Sequence, residues 1–203
     1  INTGIFVKTL RKDTHSKAGE WYADWIQGHF IFTQSVLRSL ITITNGCSRL
    51  FGNSFLYTIS KVLNKASNHS VPIWNEHLSS SPLCLSPLRF KKDIEFIYYP
   101  ACVGRVLSAN KDKESLSQAL IDLCEFSNIQ LFIPEKLNET CCGMAFCSKG
   151  YSKAGKSMTE QTIDLLYEAS ENGKIPIVID TTPCSLHLLE AGTRLDNPFQ
   201  EKW

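Results

Sequence analysis

Apolar residues recur at helical spacing through the first third of the chain. Asn2 or Thr3 can cap a helix beginning near Gly4. Phe6, Leu10, Ala18, Tyr22, Trp25, Ile26, His29, Phe32 or Thr33, Val36 and Leu40 then continue at roughly helical steps. Asn45-Gly46 is a stop signal. A second helix is expected from about Cys47 to Ala66, with Leu50, Leu56, Ile59 and Leu63 on its buried side. Residues 1–67 thus read as a helical hairpin whose aromatic stripe packs on a neighbour. A membrane-surface helix is the other reading, from Trp21, Trp25, Phe30 and Phe32 beside Lys8, Arg11, Lys12 and Lys17, although no basic face runs along the whole stripe. Residues 68–92 break both periodicities. Pro72, Pro82 and Pro87, with Ser79, Ser80, Ser81 and Ser86, mark a connector.

From residue 93 to 203 the pattern changes to short apolar runs alternating with helices. Ile94 to Tyr99 is a run of strand formers closed by Pro100. Lys111 to Ser127 reads as a helix with Leu116, Leu120, Leu123 and Cys124 on one face. Ile129 to Ile133 is a second strand, ended by Pro134. Ser152 to Ala169 is a helix stopped by Asn172-Gly173, and Ile175 to Ile179 a third strand. Thr181 or Thr182 caps a last helix with Pro183 at its first position, running to about Gly192. Strand–helix alternation predicts an α/β fold, a small mostly parallel sheet covered by helices.

Composition narrows the function. The 203 residues are 43% hydrophobic, with 11 Phe and 4 Trp, so a packed core is expected. A net charge of +1 argues against a nucleic-acid binder. No apolar run reaches the roughly 18 residues of a membrane span. The chain opens at Ile1 without a signal sequence and reads as part of a longer polypeptide.

Eight cysteines are the outlier. In a reducing compartment, clustered cysteines more often bind metals or do redox chemistry than form structural bridges. Cys47 and Cys84 have no partners nearby in sequence and read as structural; Cys124 reads as a core residue. The other positions follow the strands. Cys102 comes after the first, Cys141-Cys142 after the second and Cys184 after the third. The carboxyl ends of parallel strands share one edge, so these four should meet there. Cys184 falls in the first turn of a helix, which favours the thiolate, and His187 follows one turn later. Gly143 lets the backbone pass close to whatever the cysteine pair holds. Four thiolates point to an iron–sulfur cluster or zinc; the plainer alternative is buried neutral thiols. Arg105 could stabilise a Cys102 thiolate, pair with Asp180, or lie solvated. His15, His29, His69 and His77 have no ligand spacing to the cysteines.

Cys102, then Cys141-Cys142-Gly143, then Cys184-x-x-His187 resembles the cysteine-rich CCG domain found in heterodisulfide reductases, in the iron–sulfur component of glycolate oxidase and in lactate-utilisation proteins. Tyr98-Tyr99-Pro100-Ala101-Cys102-Val103, the run from Cys142 to Gly150 and Asp180-Thr181-Thr182-Pro183-Cys184 are similar to the long flavin-linked D-lactate dehydrogenases. Ile1-Asn2-Thr3-Gly4 resembles the residues after their last ferredoxin-like cysteine. The resemblance implies an electron-transfer segment, with Cys102, Cys141, Cys142 and Cys184 as ligands of an iron–sulfur cluster. The parent enzyme would carry FAD in a separate domain, and this chain shows no flavin site. Implied partners are that flavin domain, the ferredoxin-like domain, a second CCG module, and a quinone or cytochrome acceptor at the inner, cytoplasmic face of a membrane. His187 stands where the family has its last cysteine, and Cys147 is an extra cysteine that could replace it. A zinc site built from the same residues and a metal-free docking module are the alternatives.

Overall fold

The computed structural model describes residues 3–14, 16–69, 71–77, 79–80, 94–108 and 115–192. Cys84, most of the connector and the start of the helix expected from Lys111 lie outside them. Four helices come first: α1 (Thr3–Asp13), α2 (Lys17–Gly28), α3 (Phe30–Phe51) and α4 (Asn53–Ala66). A two-residue strand β1 (Ser79–Ser80) leads to β2 (Phe96–Tyr99), α5 (Cys102–Val106) and β3 (Leu107–Ser108). Then follow α6 (Leu116–Phe126), β4 (Leu131–Phe132), a 3-10 turn (Glu135–Glu139), α7 (Met144–Lys149), α8 (Ser152–Ala169), β5 (Ile177–Ile179) and α9 (Thr182–Gly192).

The expected α/β fold is present. β4, β2 and β5 form a three-stranded sheet in that order, parallel throughout, with Ile97 opposite both Phe132 and Ile177. The central strand β2 is covered on both faces. Ile97, Tyr98 and Tyr99 are therefore all buried and show no polar alternation. Leu131, Ile133, Met158, Ile163, Leu166 and Leu188 complete the core around them. β1 and β3 pair antiparallel in a separate two-stranded ladder.

The first third differs from the expected hairpin. The helix expected from Gly4 to Leu40 is cut twice. Ser16 ends the first break by accepting the Gly19 N–H at 3.1 Å, a side-chain cap on α2. His29 marks the second, its ring stacked on Trp25 at 4.8 Å. Asn45-Gly46 does not stop α3. Glycine in a helix costs only about 1 kcal/mol, and Asn45 and Ser48 are buried against neighbours. The break falls at Gly52 instead, whose φ of +84° and ψ of 155° suit glycine alone. The expected buried side of the second helix also fails: no residue of α4 is buried, and Leu50 of α3 is 80% exposed.

On α6 the buried stripe is Ser117, Ile121 and Cys124 rather than the leucines. The cause is Tyr98: its buried hydroxyl gives its one hydrogen to Asp180, accepts from Ser117 Oγ at 3.1 Å, and so holds that face inward. Leu116 and Leu123 point outward.

Candidate metal centre

The carboxyl ends of β2, β4 and β5 lie along one edge, and a single carboxylate ties two of them. Asp180, just after β5, accepts the Ala101 N–H at 2.8 Å and the Tyr98 hydroxyl at 3.0 Å. Ala101 precedes Cys102, so this bond fixes the turn that presents the first thiol. Cys141-Cys142 lie between the 3-10 turn and α7. Their carbonyls are held from α8: Thr162 Oγ1 donates to Cys141 O at 2.8 Å, and Thr159 Oγ1 lies 2.9 Å from Cys142 O. Gly143 turns the chain with φ +83°. A Cβ there would fall 2.3 Å from both Gly155 O and Thr159 Oγ1, so only glycine lets this loop lie on α8. Cys184 is the third residue of α9, near the positive end of the helix dipole.

These supports bring four thiols together in two close pairs. Cys102 Sγ lies 3.3 Å from Cys141 Sγ, and Cys142 Sγ donates to Cys184 Sγ at 3.0 Å. Cys141 and Cys142 are buried; Cys102 and Cys184 are half-buried. The Cys102 thiol is pushed up by its hydrogen bond to Cys141 and by burial. The bond from Cys102 pulls Cys141 down, but Cys142 and burial outweigh it, and the thiol rises to about 11. Cys142 rises to about 12, because the bond to Cys184 and burial outweigh the bond from Cys141. Cys184 is lowered, chiefly because it accepts from Cys142.

The other two expected ligands are placed differently. Cys147 Sγ lies over the backbone of Gly155, where a Cβ would come within 2.3 Å of it, and burial raises its pKa. His187 is on the side of the site, but its Nε2 lies 3.2 Å from Thr159 Oγ1. That hydroxyl also lies 2.9 Å from the carbonyl of Cys142 and 2.8 Å from that of Gly155. Cys124 is buried in the core, as expected, and Cys47 is half-buried on α3.

Arg105 corrects two of its readings. It is 1% exposed, not solvated, and it does not pair with Asp180. Its guanidinium donates to the carbonyls of Leu137 and Thr140, the second at 2.5 Å, and its Nε has no partner. It lowers the pKa of Cys102, though less than burial and Cys141 raise it.

The four converging donors are all sulfur, which suits a thiophilic metal or cluster. Among the described residues, no group of three or more His, Cys, Asp or Glu is already spaced to hold a metal ion. A tetrahedral zinc with Zn–S near 2.3 Å needs sulfurs about 3.8 Å apart. Both thiol pairs are closer than that, as neutral thiols sharing hydrogens are. The donor set fits a metal centre once the thiols lose protons and the pairs open.

A small parallel sheet with a cysteine-lined carboxyl edge defines a cysteine-rich α/β module. Residues 96–189 match the model of the CCG family, the cysteine-rich domain, so this part of the chain is similar to that domain. Nothing among the curated proteins or the solved structures matches the chain.

Sequence reasoning did not find Gly155, Thr159 and Thr162. Their signal is a stripe of small and hydroxyl residues on one face of α8, four and three residues apart. It also passed over Asp180 as an organiser of the edge.

Proposed function

We propose that the CCG-like domain holds a metal–thiolate centre, an iron–sulfur cluster in the first instance, and serves as an electron-transfer segment of an FAD-linked D-lactate dehydrogenase. The convergence of Cys102, Cys141, Cys142 and Cys184 in two pairs, 3.3 and 3.0 Å apart, carries the reading. The four thiols would be the ligands, and the bound group would supply one-electron chemistry. The chain's own residues do the rest. Thr159 and Thr162 hold the vicinal pair, Asp180 holds the Cys102 turn, and burial excludes water from Cys141 and Cys142. Support for the lactate enzyme comes from the sequence resemblance of the residues around Cys102, Cys142 and Cys184.

Oxygen-free purification followed by iron, acid-labile sulfide and zinc analysis is the test. Iron with sulfide, lost in Cys141→Ser, supports the cluster. Rejoining the chain to a flavin domain and observing lactate-dependent bleaching of the cluster supports the enzyme. Zinc in place of iron makes the centre structural. A second reading, a metal-free docking module, is favoured by His187 standing at the last motif position with its Nε2 3.2 Å from Thr159 Oγ1. A folded, metal-free chain under these conditions would select it.

A further inference from the structure

The geometry points to Arg105 as the counter-charge of the metal centre, and so to a metal–thiolate group of net negative charge as what the centre holds. This rests on the metal-centre reading above. Arg105 is buried, and both acceptors of its guanidinium, Leu137 O and Thr140 O, are neutral carbonyls. Its Nε–H has no acceptor. Its Cζ is 5.9 Å from the centre of the Tyr99 ring, and its own carbonyl accepts from the Nε of a second cation, Arg38, at 3.2 Å. Among the described residues no carboxylate is within ion-pair distance of it. A guanidinium cannot shed its proton, and a buried charge without a counter-charge is strongly unfavourable.

The arrangement makes sense if negative charge arises close by in the working state. Arg105 lies one helical turn after Cys102 on α5, and it grips the carbonyl of Thr140, the residue before Cys141. One side chain thus spans two of the three cysteine segments. Four thiols binding a divalent cation lose four protons and leave a centre of charge 2−. Two thiolates with two neutral ligands leave charge zero, which would not offset the guanidinium. Arg105 is therefore a positioning residue with an electrostatic role: it joins the loops and offsets the negative charge of the group the four sulfurs hold.

The test uses zinc alone and the reduced full chain. Protons released on zinc binding are counted near neutral pH in weak buffer with an indicator. More than about two per zinc is expected; about two or fewer leaves a centre without net negative charge and overturns the proposal. Arg105→Gln, which keeps hydrogen-bonding reach without charge, should bind zinc about tenfold more weakly or worse. Arg105→Lys should stay within about threefold of the parent chain, as charge rather than fork geometry is what matters. Gln binding as tightly as Arg, or Lys as weakly as Gln, overturns the electrostatic role. If both variants lose the native circular dichroism spectrum, the proton count on the parent chain decides. A parent chain that takes no metal at all fails the metal-centre reading itself, whereas normal loading with an indifferent Gln variant fails only the assignment of Arg105.

Discussion

Two glycines of opposite environment test how tightly the vicinal cysteines are laid on α8. A methyl at Gly143 would meet Gly155 O and Thr159 Oγ1 at 2.3 Å, in a backbone conformation that disfavours side chains. Gly143→Ala should cost about 2 kcal/mol or more in urea unfolding. Gly46, inside α3, has nothing within 4 Å of such a methyl, so Gly46→Ala should stabilise by about 0.5–1 kcal/mol. The same sign in both variants would mean that the loop does not rest on α8 as described. The thiols make a second prediction. Cys141 and Cys142 rise from the ordinary value of 9.0 to about 11 and about 12 in the folded chain. The metal-free native state therefore holds protons that the unfolded state releases, and stability falls as pH rises from about 9 towards 12. The urea midpoint of the reduced, metal-free chain should be lower at pH 10 than at pH 7.5. At this scale, the converging cysteines were legible because strand ends share an edge. The hydroxyls of Thr159 and Thr162 were not, because their role depends on which face α8 turns to the loop. Arg105 was open between three roles because burial, which decides among them, is not written in local sequence.

The three sheet strands and helices α6, α8 and α9 were legible as elements because short β-branched and aromatic runs end at Pro100 and Pro134, and because Asn172-Gly173 stops α8, whereas the short α5, α7 and 3-10 turn carry no periodic signal. Breaks in the N-terminal helices were not. Asn45-Gly46 is a strong local signal, yet tertiary burial of Asn45 and Ser48 overrides it, and the positive φ at Gly52 ends the helix instead. How the elements are joined at the site depends on one side chain. Asp180 links β5 to β2 by accepting from Ala101 N and the Tyr98 hydroxyl, which also reaches Ser117 on α6. Asp180→Ala leaves a buried N–H and a buried hydroxyl short of an acceptor. It should destabilise the chain by about 2–3 kcal/mol and weaken zinc binding by freeing the Cys102 turn. Asp180→Asn keeps an acceptor for Ala101 and should lose less on both counts. Equal losses in unfolding and zinc titration for the two variants would show that the link is not made through these hydrogen bonds.

Across the whole molecule, the N-terminal helices are turned inside out. In α1–α4 the buried side chains among the described residues are Ala23, Gln34, Asn45 and Ser48, so three of the four are polar. With successive residues turning about 100°, Gln34, Asn45 and Ser48 share one stripe of α3. That stripe faces the cysteine-rich α/β part of the chain, where Gln34 Nε2 donates to Asn138 O at 2.8 Å and Arg38 Nε to Arg105 O. The opposite stripe is Phe32, Val36, Leu40, Ile43 and Leu50, all exposed, and α4 adds Phe55, Ile59, Val62 and Leu63. Helical periodicity was visible in the sequence, but it assigns apolar residues to the interior, and here they lie outside. An exposed apolar surface of this extent marks an interaction face or an aggregation hazard. No helix among the described residues is long and apolar enough to cross a membrane. In isolation the chain should therefore self-associate and bind a hydrophobic dye. Leu40→Glu with Ile43→Glu changes two exposed positions, so the urea midpoint should hold to within about 0.5 kcal/mol per substitution while light scattering and dye binding fall. A fall in the midpoint instead would mean that this stripe is packed within the folded chain. Unchanged scattering would place self-association elsewhere on the surface.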